Sequence, residues 1–446
     1  MHGPTTVTPK NMSRALRGES IFPSGNMLAF LLTTIIFFVW GMSNNLTDIL
    51  VQQFKKSFEL NLLQAQLVQT AVFAAYGIMA TPAALLMRRF GYKVGLVVGL
   101  LTFGLGTLAF WPAAIIGHYT PFLIALFIVG SGSSILETAA NPLVAQFGDP
   151  ETSERRLNFA QAFNPPGTIV GVAIGTLFIF SGVEKTSAEV ATMKAQGTYA
   201  AYLHTEILRV VPTYVVLGIA VLALAFFISR ATYPTNLDSS FTAGPELRAH
   251  QSGAYGRLFR HPTLMFAVVA QFFYVGAQVS TWSTLIPYLR AYTSIGDRAA
   301  GWLLTATLVA LACGRAVSTP LMRFISPARM IGIYAVINVV LLGIGIVHPG
   351  MTGGVAILVT SFFMSIMFPT IFALGLEGLG HETEFASSFI VMAICGAAVV
   401  PPLMTLFASV TGALHWSMFI LAACYAVVVS FGLFAPRLKT TGLKTA

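Results

Sequence analysis

The sequence predicts an all-α polytopic membrane protein with twelve transmembrane helices in two pseudo-symmetric six-helix bundles. Its 446 residues are 56% hydrophobic and only 9% charged, whereas about 25% of the residues in a soluble protein are charged. Apolar segments of about 20 residues, the length that crosses a bilayer, recur along the chain. Soluble domains could not bury this much apolar surface, so the composition excludes that class.

The predicted spans form two groups of six, separated by a polar stretch at 230–262. The first group lies near 27–53, 62–87, 94–116, 120–147, 156–181 and 207–229. The second group lies near 263–291, 299–322, 329–347, 353–379, 385–410 and 415–435. We therefore divide the chain into an N-terminal tail (1–26), a first bundle (27–230), a linker (231–261), a second bundle (262–436) and a C-terminal tail (437–446).

The two groups of spans also resemble each other in sequence. FFVWG begins at residue 37 and FFYVG at residue 272, an offset of 235 positions. The pairs Met87-Arg88 and Met322-Arg323 are separated by the same offset. A shared offset at two places indicates that the halves arose by duplication.

The distribution of basic residues predicts the orientation. With both termini on one side, 17 lysines and arginines lie on that side and 7 on the other. The positive-inside rule then places both termini and the linker in the cytosol. The basic residues lie in short clusters between spans, which argues against nucleic acid as the partner of this chain of net charge +9. The N-terminal tail lacks a small-residue cleavage site, so we expect no signal peptide.

Cysteine and histidine spacing predicts neither a disulfide nor a metal site. The three cysteines all fall in apolar segments, and no HxxxH or CxxC spacing occurs among the eight histidines and three cysteines. We therefore expect no metal and no cofactor.

Two of the sixteen acidic residues, Asp48 and Glu137, fall well inside predicted spans. A carboxyl group there is costly and is usually functional. Burial without a partner favours the protonated form, which suits proton coupling, while a buried ion pair is the alternative. The one cation well inside a predicted span is Arg315, which we expect at the central cavity or between the halves. Glu206 and Asp297 lie at span ends, where we expect them to be solvated.

The two carboxyl groups differ in predicted depth. Asp48 lies about 12 Å outward of the centre of the first span, taking the rise per residue of a helix. Glu137 lies near the middle of the fourth span. We therefore expect Asp48 on the outer part of a proton route and Glu137 where a ligand would bind.

Polar side chains form stripes on three spans. They are Asn44, Asn45 and Asp48 on the first span, Glu137 and Asn141 on the fourth, and Asn158, Gln161 and Asn164 on the fifth. Their spacing of three or four residues places the members of each stripe on one helix face. Such stripes cannot face lipid, so we expect them to converge on a wet interior, with interhelical hydrogen bonding as the alternative for each amide. Pro142, directly after Asn141, is expected to loosen its helix.

The seventh span offers a second kind of contact. Gln278 and Trp282 lie four residues apart. An indole with an amide neighbour suits a sugar ring, whose apolar face stacks on the aromatic ring while its hydroxyl groups bond to amides. Ordinary packing of Trp282 is the alternative.

Several motifs resemble a known family. They are NNLTDIL (44–50), FWPAA (110–114), LETAANP (136–142), NFAQAFN (158–164), YVGAQ (274–278), FPTIFALG (368–375) and SSFIVM (387–392). They resemble the fucose–galactose–glucose–N-acetylglucosamine branch of the major facilitator superfamily, and within it the L-fucose type. The resemblance implies a proton-coupled symporter that imports L-fucose or a close hexose across the bacterial inner membrane by alternating access. It implies a monosaccharide, H⁺ and the lipid bilayer as partners, a monomer, and no enzymatic activity.

The resemblance also implies roles for particular residues. It carries proton coupling onto Asp48 and Glu137, with Glu137 also contacting the sugar. It carries sugar contacts onto Gln161 and Asn164, with Asn45 and Asn141 as contacts or supports. We expect Gln278, Trp282 and Phe368 on the opposite wall of the site. We expect structural or gating roles for Asn44, Asn158, Pro142 and Arg315.

One departure leaves the sugar open. The L-fucose type has a Gln-Tyr pair before the proline of span ten, and this chain has Met367-Phe368. Transport of another hexose or amino sugar, such as glucose, galactose or N-acetylglucosamine, is therefore the first alternative, and sodium in place of the proton a lesser one. A membrane-embedded enzyme would need a metal pair or a nucleophile and base inside the spans, and the sequence offers neither.

Overall fold

The computed structural model describes residues 26–147, 156, 159–183, 185–233, 259, 261–322, 324–377, 379 and 383–442. Asn158 and residues 234–258 of the predicted linker lie outside the described residues. Within the described part, 12 helical segments are long and apolar enough to cross a membrane. This confirms the predicted all-α architecture of twelve spans.

The first six spans run in order from Met27 to Arg230. Their helices are Met27–Ser57, Leu62–Phe90, Tyr92–Leu108 with Phe110–Ile116, Tyr119–Gln146, Asn164–Ile174 with a π-helical turn Gly175–Ile179, and Tyr199–Leu208 with Val210–Arg230. Span six thus begins at Tyr199, earlier than the predicted 207. A further helix, Ser187–Ala195, precedes it. This helix is too polar to be detected by a search for apolar segments. Thr186 and Glu189 form a capping box at its start, and this Thr-x-x-Glu spacing is the signal that could have predicted it.

The second six spans run from Pro262 to the C-terminal region. Their helices are Pro262–Tyr292, Asp297–Leu321, Pro327–Val347, Met351–Met364 with Met367–Leu376, Thr383–Met392 with Gly396–Thr411, and Met418–Gly442. Span ten is interrupted at Ser365-Ile366. Span eleven contains a 3₁₀ turn at Ala393–Cys395.

Glycines let span five approach span one closely. Gly167 and Gly171 lie one turn apart. A Cβ atom on Gly167 would overlap the backbone carbonyl of Phe38, and one on Gly171 would overlap that of Met42. Small residues four positions apart are the usual means by which membrane helices bring their backbones together. This contact places the start of span five, with Asn164, against the middle of span one.

The contacts between the two halves include spans two and eleven and spans five and eight. Thr70 of span two donates a hydrogen bond of 2.9 Å to the carbonyl of Ala398 in span eleven. Thr176 of span five lies against Gly301 of span eight, where a Cβ atom would approach the threonine hydroxyl to 2.6 Å. The candidate site lies within the first half, beside this interface.

Candidate functional site

Asp48 is buried in span one and is held by an amide. Its side chain is only 3% exposed, and Gln69 Nε2 of span two donates a 2.8 Å hydrogen bond to Asp48 Oδ1. Gln69 in turn accepts a 3.3 Å hydrogen bond from the Thr47 hydroxyl. No described residue forms an ion pair with Asp48, so the alternative of a buried salt bridge is not seen here.

Glu137 is buried in span four with one unsatisfied oxygen. Its side chain is 8% exposed, and Oε2 has no hydrogen-bond partner among the described residues. The Tyr76 hydroxyl of span two lies beside the carboxyl group. That hydroxyl accepts hydrogen bonds from Trp40 Nε1 at 2.8 Å and from Asn44 Nδ2 at 3.5 Å. Glu137 therefore has polar neighbours and, in the described structure, no counter-ion.

A small cavity opens beside Glu137. It measures about 10 Å³, which is room for about one water molecule. It is lined by Ile36, Phe37, Trp40, Leu136, Glu137 and Ala140. Glu137 thus lines a cavity whose other lining residues are apolar or aromatic, and in this conformation the cavity is too small for a hexose.

The amide side chains of spans four and five bond to each other and to backbone carbonyls. Gln161 Nε2 donates a 3.1 Å hydrogen bond to Asn141 Oδ1, and Asn141 Nδ2 donates to the Glu137 carbonyl at 3.1 Å. Asn164 Nδ2 donates to the Phe37 carbonyl of span one at 3.3 Å. These bonds join span five to spans four and one, and they are the interhelical hydrogen bonds that were the alternative for these amides.

Asn45 and Pro142 are two further residues that the sequence predicted for the site. Asn45 is buried and donates to the Gly41 carbonyl of its own helix at 3.0 Å, while Asn45 Oδ1 has no partner among the described residues. Pro142 lies inside the continuous helix Tyr119–Gln146. The helix therefore passes the proline without a break.

On the second half, Trp282 is fixed by packing. Its side chain is buried, and its Nε1 donates a 3.0 Å hydrogen bond to Ser361 Oγ of span ten. Gln278 is half-buried, and the half-buried Phe368 ring stacks on Phe372 with centroids 6.3 Å apart. The indole edge is thus already satisfied, so only its ring face is left for a ligand.

Arg315 completes the hydrogen bonding of the interrupted span ten. Its Nε donates a 3.1 Å hydrogen bond to the Ser365 carbonyl. In a regular helix that carbonyl would bond to the N–H of residue 369, but residue 369 is proline and has none. Arg315 therefore has a structural partner within its own half, and it forms no ion pair with Asp48 or Glu137.

The expectation that Glu206 is solvated at the end of a span is wrong. Glu206 is 1% exposed. Lys56 Nζ lies 3.1 Å and Arg209 Nε 3.4 Å from its carboxyl oxygens, and Gln53 Nε2 donates to it at 3.2 Å. All four residues belong to the first half, so this cluster joins span one to span six.

The same expectation is wrong for Asp297, which connects the two halves. Asp297 is 8% exposed, and it accepts a 3.0 Å hydrogen bond from Gln52 Nε2 of span one. Arg290 Nε of span seven lies 3.3 Å from the same carboxyl oxygen. A cavity of about 190 Å³ adjoins this contact. It is lined by Gln52, Lys56, Lys185, Val190, Tyr199, Tyr202, Arg290 and Asp297.

Sequence reasoning missed the contribution of span two. Gln69 and Tyr76 each contact a predicted carboxyl group or its immediate neighbours, and Trp40 of span one contacts Tyr76. The available signal was a fourth polar stripe, Gln66, Gln69 and Tyr76, at spacings of three and seven residues. That spacing puts the three side chains on one helix face.

Comparisons with known proteins agree with this architecture. The sequence model of the Major Facilitator Superfamily matches residues 29–401. The chain is 38% identical over 417 residues to the L-fucose-proton symporter of Escherichia coli (strain K12), covering 93% of this chain and 94% of that protein. It is 34% identical over 406 residues to a glucose/galactose transporter of Brucella abortus biovar 1 (strain 9-941), covering 91% and 93%.

A solved structure is similar over the same length. The major facilitator transporter FucP in its outward conformation superposes with a TM-score of 0.72 at 38% identity, covering 91% of this chain and 98% of that one. These relatives are transporters and not enzymes. With 12 span-length helical segments in its described part, the chain is a multi-pass protein of the inner membrane. The chain belongs to the Major Facilitator Superfamily.

Proposed function

We propose that the chain is a proton-coupled monosaccharide symporter, with L-fucose as its first candidate substrate. The observation that carries the proposal is Glu137, a buried acidic residue that lines a small cavity between spans one and four and has no counter-ion in the described structure. The similarity to an L-fucose-proton symporter supports both the sugar and the coupling ion. We further propose that the protein is a monomer in the bilayer with both termini in the cytosol.

Glu137 and Asp48 are the proposed proton carriers. A carboxylate without a counter-ion is costly in an apolar interior, and binding a proton removes that cost. Proton binding at Glu137 therefore changes the charge of the very group that a sugar hydroxyl would meet. Asp48, closer to the predicted outer end, exchanges protons with that side. This division of roles makes sugar binding depend on the proton.

The sugar contacts are proposed to come from amides on the same half. Gln161, Asn141 and Asn164 lie on spans that hydrogen bonds join near Glu137, Asn45 lies on span one, and each amide offers a donor and an acceptor. A hexose presents hydroxyl groups around an apolar ring face, so convergent amides with one aromatic surface match its chemistry. Phe368 and the ring face of Trp282 supply the aromatic surface from the second half.

Alternating access requires one end of the bundle to close while the other opens. At the end predicted to face outward, Gln52 of the first half bonds to Asp297 of the second, and Arg298 Nη2 donates to the Leu177 carbonyl at 3.2 Å. These contacts bridge the halves and support a conformation closed on that side. Opening requires that both bonds break.

Glucose, galactose or N-acetylglucosamine is the second candidate substrate. Met367 and Phe368 replace the polar pair of the L-fucose type, and a 34% identical relative is a glucose/galactose transporter. Sodium coupling is a lesser alternative. Among the described residues no group of three or more His, Cys, Asp or Glu side chains could hold a metal ion, so nothing in the described part favours a metalloenzyme.

Uptake in proteoliposomes tests the proposal. The purified chain is reconstituted, and accumulation of labelled L-fucose is measured under an inward proton gradient, with and without an uncoupler, and under a sodium gradient. We expect uncoupler-sensitive accumulation that sodium does not replace. Counterflow against unlabelled glucose, galactose and N-acetylglucosamine then ranks the sugars. Accumulation that follows only the sodium gradient, or no uptake of any of these sugars, would contradict the proposal.

A further inference from the structure

Span two carries two fully buried polar side chains that face the proposed proton carriers. Gln69 and Tyr76 are both 0% exposed, and their separation of seven residues places them on one helix face. Gln69 donates to Asp48 at 2.8 Å, and the Tyr76 hydroxyl lies beside the carboxyl group of Glu137. One face of span two thus contacts both carboxyl groups.

The hydrogen bonds at Tyr76 leave its own proton available for Glu137. Trp40 Nε1 can only donate, and so can the Asn44 amide nitrogen, so both bonds to Tyr76 fill lone pairs of its oxygen. The hydroxyl proton then needs an acceptor. Its neighbours Glu137 and Ser133 each have one oxygen without a hydrogen-bond partner among the described residues, Oε2 and Oγ. An ionised carboxylate is the stronger acceptor of the two.

The two carboxyl groups are joined by a continuous string of contacts. The Thr47 hydroxyl lies within hydrogen-bond distance of the Gln69 side-chain oxygen, at 3.3 Å, and of the backbone carbonyl of Asn44, and its single proton serves one of them at a time. The Asn44 side chain reaches Tyr76. The string therefore runs from Asp48 through Gln69, Thr47, Asn44 and Tyr76 to Glu137, over spans one, two and four. Amide groups keep their protons at neutral pH, so the string orients side chains and does not conduct protons.

We propose that Gln69 and Tyr76 are positioning residues that make proton binding at Asp48 and at Glu137 depend on each other. When Glu137 is ionised, its carboxylate accepts a hydrogen bond from the Tyr76 hydroxyl, and this bond holds Asn44 and Thr47 in their present arrangement. When Glu137 binds a proton, it is a weaker acceptor. The side chains between it and Asp48, including Gln69, are then held less firmly in place. The inference rests on the proposed function, since it assumes that both carboxyl groups carry protons.

The experiment uses the full chain in proteoliposomes with L-fucose as the probe. Tyr76→Phe removes only the hydroxyl group, and Gln69→Leu removes the amide. The control for the first is Tyr288→Phe, which removes an equally buried hydroxyl that donates to the Gly345 carbonyl in the second half.

The control for Gln69→Leu is Gln66→Leu. Gln66 is three residues away on the same span, is equally buried, and has no partner for its amide among the described residues. Counterflow without a proton gradient gives KM and Vmax for sugar exchange. Accumulation under an inward proton gradient measures coupling. Retained counterflow shows that each variant is folded and inserted.

We expect Tyr76→Phe and Gln69→Leu to keep the KM of counterflow within about twofold while gradient-driven accumulation falls about tenfold, the effect of one hydrogen bond to a charged group. Both controls should accumulate sugar as the unmodified protein does. Accumulation unchanged in both variants, or loss of counterflow in parallel with accumulation, would overturn the inference. Asp48→Asn and Glu137→Gln serve as references. If these two variants retain coupling, the proposed function is wrong. If they lose coupling while Tyr76→Phe and Gln69→Leu keep it, only the present inference is wrong.

Discussion

The contact between Gln52 and Asp297 predicts that removing one amide raises the proportion of molecules that are open at the outer end. Gln52→Ala removes the 3.0 Å hydrogen bond that joins span one to span eight. Gln53→Ala is the matched control, because Gln53 is the adjacent glutamine and bonds to Glu206 within the first half. Both changes remove a buried amide from the same helix end, and only the first one breaks a bond between the halves.

The expected magnitude follows from the surroundings of Asp297. A hydrogen bond to a charged group contributes about 1.5–3 kcal/mol. Arg290 continues to hold Asp297 at 3.3 Å after Gln52 is removed, so the carboxylate is not left without a partner. We therefore expect the lower end, about 1.5 kcal/mol, which changes the ratio of open to closed molecules slightly more than tenfold.

Distances between spin labels measure this ratio directly. In a cysteine-free background, labels at Gln196 and Ser294 report on the two halves, because both positions are exposed at the predicted outer end. Gln52→Ala should increase the population with the longer distance about tenfold. Gln53→Ala should leave it unchanged. Equal distance distributions for the unmodified protein and Gln52→Ala would refute the assignment of this contact as an outer gate.

Three further changes test other parts of the structure. Arg315→Met should lower the free energy of unfolding by about 1–3 kcal/mol in detergent, because a buried carbonyl of span ten loses its donor; Pro369→Ala in the same chain should recover part of this loss by supplying a helical N–H, and no recovery would contradict the assigned role. Gly171→Leu should prevent close contact of spans one and five and reduce the yield of folded protein on size-exclusion chromatography, and a normal yield with normal transport would show that the contact is dispensable. Met367→Gln with Phe368→Tyr should shift counterflow preference toward L-fucose over glucose. An unchanged order of sugars would show that these two positions do not determine sugar specificity.

The spans were predictable because hydropathy and length determine them almost alone. The ninth span, predicted at 329–347, is Pro327–Val347 in the structure. Errors occur where polar residues belong to the fold. The helix Tyr199–Leu208 carries Glu206 near its end, and a search for apolar windows stops there although the carboxylate is buried against Lys56.

The site was predictable in part, for a different reason. Asp48 and Glu137 stand out because an acid inside an apolar segment is rare. Gln69 and Tyr76 do not stand out, because a single glutamine or tyrosine in a span is common. Their contacts with Asp48 and Trp40 of span one are visible only in the structure. The role of Arg315 was hidden in the same way: the sequence shows Pro369, but not which donor covers the carbonyl that the proline leaves free.

The most direct test of the central claim is proton movement driven by sugar. Unlabelled L-fucose is added to weakly buffered proteoliposomes with no preset gradient, and the pH of the medium is recorded. A symporter carries protons inward with the sugar, so the medium should become more alkaline with the unmodified protein. Glu137→Gln and Asp48→Asn should abolish this signal, and Glu137→Gln should also weaken sugar binding. Sugar uptake with no change in the pH of the medium, or an unchanged pH signal in both variants, would contradict the claim that these two carboxyl groups couple protons to sugar.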